Sequence, residues 1–126
     1  MRVALGVVLA LHGLVHLWFV VLALGWIEFQ PDMGWTGRSW LLTSAIGDAA
    51  TRTVAAVMLT IAAAAFVVSG VALISQAPWW RPALASAAIV SSAVLIVVWD
   101  GGTNMLVQKG VLGLAINFLV LIFAVR

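Results

Sequence analysis

The chain is 126 residues long, 65% hydrophobic and 8% charged, with a mean hydropathy of +1.22, whereas ordinary soluble domains carry roughly 25% charged residues. A water-soluble fold of this size leaves too much surface exposed to hide so many apolar side chains, so its solvent must be mostly lipid. Six cations against four acids, without a basic cluster, exclude a nucleic-acid surface, and the lack of cysteine excludes disulfides, thiolate metal sites and cysteine nucleophiles.

A bilayer core about 30 Å thick takes roughly 20 apolar residues in a helix. Four stretches approach that requirement, at about 3–25, 52–75, 83–99 and 104–125. They predict an all-α fold, a four-transmembrane-helix bundle forming one integral membrane domain over residues 1–126. The first stretch loosely imitates a signal peptide at Ala23-Leu24-Gly25, but its apolar run is too long for one, and we read it as a retained helix.

The connectors differ in character. In the long segment 26–50, Pro31, Gly34 and Gly37 break the backbone. Ser39 is placed to cap a short interfacial helix that Gly47 ends, seated by Trp40, Leu41, Leu42 and Ile46. Asp48 is placed to cap the second span. SQAPWWRP at 75–82 is a tight turn with Trp79, Trp80 and Arg81 as interface anchors, and DGGTN at 100–104 is a second turn, with Thr103 or Asn104 available as a cap. Trp26, Trp35, Trp40, Trp79, Trp80 and Trp99 fall at or beyond span ends, as an aromatic belt requires. Trp18 alone lies within a span. Glu28, Asp32, Arg38, Asp48 and Arg52 form a solvated, partly ion-paired face. A cell-membrane location follows. The positive-inside count ties, Arg2, Arg81 and Arg126 against Arg38, Arg52 and Lys109, and cytoplasmic termini are the expected orientation.

Lipid supplies no hydrophobic drive between helices, so small residues must let backbones approach. Gly6 with Ala10, the row Ala56, Thr60 and Ala64, the row Ala83, Ala87 and Ser91, and Gly113 one turn before Asn117 offer such faces.

Within the first span, LALHGLVHLWFVV sets His12 and His16 four apart, and therefore on one helix face. By depth, Ser91 and Ser92 of the third span and Asn117 of the fourth fall level with them. An unmet polar group in hydrocarbon costs several kcal/mol, so these five residues are predicted to form one internal polar network. Either the imidazoles only fix helix register, or they contact a ligand, since ionisable groups inside a membrane point to function. No carboxylate lies at mid-depth to complete a metal site. Two rings on one face cannot hold opposite sides of a haem, which would need a single axial ligand or a second copy. A quinone or other lipid-like molecule held by His12 or His16 and flanked by Trp18 is chemically easier.

HGLVH at 12–16, PWWRP at 78–82, SAVLIVVWD at 92–100 and GLAIN at 113–117 together resemble a group of small bacterial four-helix integral membrane proteins. Their pattern looks to be HGxxH in the first helix, a WW turn, and Gly-xxx-Asn in the last. The resemblance implies the topology and nominates the same residues. It implies no activity, and the chain departs from the pattern after Asp100, where GGTNMLVQK precedes the last span. The expected role is non-enzymatic: an accessory or interaction subunit of a larger membrane assembly, held by membrane-protein partners or a second copy, or a small hydrophobic-ligand binder. A small transporter coupled to histidine protonation is the competing reading, because imidazole titrates near neutral pH.

Overall fold

The computed structural model describes every residue except Phe29, Pro31 and Asp32, so the break expected at Pro31 and the place of Asp32 in the charged face lie outside the described residues. The described residues form four helices and no strand: α1 (Arg2–Ala23), α2 (Thr43–Ile74), α3 (Trp80–Val98) and α4 (Val111–Val125). Three of them, α1, α2 and α3, are long and apolar enough to cross a membrane. At 1.5 Å per residue α4 covers only about 22 Å, less than the hydrocarbon thickness.

This corrects the expected start of the last helix near Asn104. Residues 104–110 are turns, with Met105 and Gly110 at positive φ. Side chains five apart do not meet on a helix. The hydrogen bond from Lys109 Nζ to Asn104 Oδ1, 2.9 Å, therefore requires the backbone to fold back. Asn104 accepts from Lys109 and caps no helix.

Consecutive helices pack antiparallel. Gly6 lies against Gly70 and Gly13 against Ala63 and Phe66. Arg81 at the start of α3 reaches the Ala124 carbonyl at the end of α4. The α1–α2 seam is built on missing side chains: a Cβ on Gly70 would sit 2.5 Å from the Gly6 carbonyl oxygen, and one on Gly13 2.6 Å from Phe66 Cβ. The predicted row Ala56, Thr60 and Ala64 is not the packing face, since Thr60 and Ala64 are exposed. Ala55, Leu59, Ala62, Phe66 and Leu73 are buried instead, because α1 approaches on the face that carries Gly70.

The short helix expected before Gly47 is present as a separate helical turn at the head of α2, and it ends where Gly47 leaves helical geometry at φ +80°. Ser39 begins that turn as expected, its Oγ accepting from the Leu41 and Leu42 amides. No capping bond from Asp48 occurs; Asp48 pairs with Arg38 at 3.6 Å on the surface.

A helix C-terminus leaves four carbonyls without partners, and here the segment before α2 serves those of α3. Trp40 Nε1 donates to Ile96 O, Ser39 Oγ to Val97 O, Trp35 Nε1 to Val98 O and the Trp40 amide to Trp99 O. Trp35 is consequently a core residue, 2% exposed, and not part of an aromatic belt. Two apolar clusters result. One surrounds Trp35, Leu59 and Val98, the other Leu9, Phe66 and Leu84, and a polar layer from α1, α3 and α4 lies between them.

Candidate functional site

Glycine at position 13 lets α1 and α2 touch, which turns the histidine face of α1 towards the middle of the bundle. Phe66 then backs both rings, edge-on to His12 at 4.8 Å between centroids and tilted against His16 at 6.1 Å.

The five polar residues named from the sequence meet in one network. His16 Nε2 lies 2.7 Å from Ser91 Oγ. Asn117 Nδ2 donates to Ser91 Oγ at 2.8 Å and to Ser92 Oγ at 3.2 Å. Asn117 Oδ1 lies 3.0 Å from His12 Nε2. His16, Ser91 and Asn117 are at most 4% exposed.

The direction of each bond follows from what its partners permit. His16 Nδ1 faces only carbonyls, those of Gly13 at 3.2 Å and His12 at 3.3 Å, so it carries hydrogen. In a neutral ring Nε2 is then an acceptor and Ser91 donates to it. The Ser91 oxygen is left to accept from Asn117, whose carboxamide oxygen must accept from His12 Nε2–H. Flipping the amide would make Ser91 donate to Asn117 and force hydrogen onto both nitrogens of His16. The chain of bonds therefore leaves His12 Nδ1 as a bare lone pair, and among the described residues no donor meets it.

Three hydroxyls of α2 behave differently. Thr51, Thr60 and Ser69 bond back to the carbonyl four residues earlier, a local arrangement that needs no neighbour.

Beside the network, the backbones of α1 and α4 make no close approach, and a cavity of about 580 Å³ fills the gap. His12, Trp18, Phe19, Leu95 and Ile116 line it, with Gln108 at the turn above. Trp18 is 43% exposed, so the cleft opens outward on the apolar surface. Trp18 was legible as the one tryptophan inside a span; Phe19, Leu95 and Ile116 carry no sequence signal separate from core packing.

The interface anchors are dispersed. Trp79 is exposed, Trp80 stacks near Phe123 at 5.6 Å, and Arg81 lies over the Trp80 ring at 4.7 Å. Trp99 donates to Gly102 O. None of them reaches the histidine network.

A second charged site was not foreseen. Lys109 Nζ and Asp100 Oδ2 are 3.0 Å apart, with side chains 3% and 7% exposed. Burial would push the Asp100 carboxyl up. The Gly102 amide and the Lys109 ammonium outweigh it and hold the carboxyl below the usual aspartate range. The Thr36 hydroxyl stands beside the pair and also favours the ionised carboxyl. A polar pocket of about 540 Å³ lies over this pair, lined also by Arg38, Ser39 and Thr43.

No protein-family model, curated protein or solved structure matches the chain.

Proposed function

We propose that the chain is a four-crossing membrane protein that binds a small apolar molecule in the cleft between α1 and α4, with His12 as its polar contact. The observation that carries this reading is the contrast between the two imidazoles. His16 spends both nitrogens on the bundle, as a purely architectural histidine does. His12 spends one and lines the cavity with the other unmatched. A polar atom in hydrocarbon without a partner is costly, and a ligand would supply that partner. Binding pockets for small molecules run from about 300 to 1,000 Å³, mostly apolar with a few placed polar groups, and the cleft fits that description. In this reading the turn at 104–110 makes up the depth that α4 lacks.

The test is purification in a mild detergent followed by mass spectrometry of the lipid extract. The wild-type chain should carry a specific apolar compound in stoichiometric amount. Val15→Trp, which adds bulk at an exposed cleft-lining position, should lose it without loss of stability. An extract identical between the two proteins would overturn the proposal.

A further inference from the structure

The hydrogen-bond directions bear on what kind of head group the cleft accepts, an inference that rests on the ligand-binding reading above. Resting against Phe66, the His12 ring cannot be considered alone: its tautomer is set at the far end of a relay. The carbonyls of His12 and Gly13 fix hydrogen on His16 Nδ1. That choice passes through Ser91 and Asn117 to put hydrogen on His12 Nε2. Ser92 also takes an Asn117 N–H, and since its hydroxyl could serve either orientation of the amide, the order is set by Ser91 and His16 alone. The nitrogen left unpaired, on a ring that lines the cleft, is consequently an acceptor.

A carbonyl or ether oxygen brought to that atom would set two lone pairs against each other. A hydroxyl or N–H would complete the bond. Around it the walls are aromatic and aliphatic: Trp18, Phe19, Leu95 and Ile116. Of the other polar side chains lining the space, His16 has both nitrogens engaged, the Trp18 indole offers a donor, and the Gln108 amide at the turn can either donate or accept. We propose that the α1/α4 cleft selects apolar molecules bearing a hydroxyl or N–H donor, such as phenols and reduced quinols, over the ether or carbonyl compounds of the same shape.

The experiment uses the full chain in nanodiscs and a matched pair of probes, 4-pentylphenol and 4-pentylanisole, compared at equal mole fraction in the membrane. Binding is read from Trp18-dependent fluorescence, with Trp18→Phe as the blank. The phenol should bind about tenfold more tightly or better, the worth of one well-placed hydrogen bond. Imidazole ¹⁵N spectra of the wild-type protein should show His12 Nδ1 unprotonated in the free state and shifted on adding the phenol alone. This readout needs no variant that has to fold.

Equal affinities, a preference for the anisole, or a protonated His12 Nδ1 in the free protein would each overturn the head-group inference while leaving ligand binding intact. Failure of both probes to bind at saturating membrane concentration, together with an empty lipid extract, would instead overturn the ligand-binding reading and this one with it. A preference for the phenol with the expected ¹⁵N shift supports both.

Discussion

His12 Nε2 and Asn117 Oδ1 are joined at 3.0 Å across two helices whose backbones otherwise stay apart. Asn117 is thus both the lock between α1 and α4 and the element that decides which nitrogen of His12 is left unpaired.

Replacing Asn117 with Leu keeps the branched shape and removes bonds to His12, Ser91 and Ser92. Interhelical hydrogen bonds in membranes are each worth about 0.6 kcal/mol on average and about 1.7 at most. The variant should lose roughly 1–3 kcal/mol in reversible unfolding by SDS in mixed micelles. Thr60→Val is the matched control and should stay within about 0.5 kcal/mol, because the Thr60 hydroxyl serves only its own helix.

At the α1–α2 seam, Gly13→Ala should cost about 1–3 kcal/mol from overpacking, and Gly70→Ala at least as much. Their added methyl groups meet backbone oxygens of Ala63 and Gly6, which cannot rotate away. Gly25→Ala finds open space, so its cost is confined to backbone strain at φ +69°. The same unfolding assay ranks the three.

Acid should weaken the fold through Asp100. Its carboxyl ionises more readily in the folded chain than in the unfolded one. The stabilisation is therefore complete above the ordinary aspartate value of about 3.9 and declines as pH falls towards the lower folded value. Asp100→Asn should flatten that part of a stability-against-pH curve. Lys109→Met strands a nearly buried carboxylate and should cost about 3–5 kcal/mol. Combining it with Asp100→Asn should recover much of the loss in a double-mutant cycle.

Trp35→Phe retains most of the buried ring and removes the donor shared by Val98 O at 2.9 Å and Arg38 O at 3.1 Å. An unsatisfied buried carbonyl costs about 1–3 kcal/mol, and hydrogen exchange should rise in the last turn of α3 before any global unfolding.

The histidine network was legible because polar residues in an apolar span must find each other, and equal depth was enough to nominate Ser91, Ser92 and Asn117. The helices themselves follow from apolar length. The seam row on α2 was misread because alanine is small on every face, and only the glycines of α1 decide which face is approached. The start of α4 was misread because Lys109 looked like an interfacial cation; its partner Asp100 lies across a glycine-rich turn whose path the residue order does not reveal. Trp35 was taken for a membrane-surface ring because its indole donor serves a carbonyl some sixty positions away, at the end of another helix. The cleft could not be read at all, since it is a gap, and gaps follow from where backbones do not meet.

The segment holding Trp35, Ser39 and Trp40 has a bearing on biogenesis. A ribosome delivers it ahead of α3, so its donors are already synthesised when the carbonyls of Ile96 through Trp99 emerge. The third crossing can dock on arrival against a prepared receptor, and Met33, just upstream on the same segment, is carried to the cleft wall with it. Assembly order and the wall of the cleft are in this way tied to one short stretch of chain.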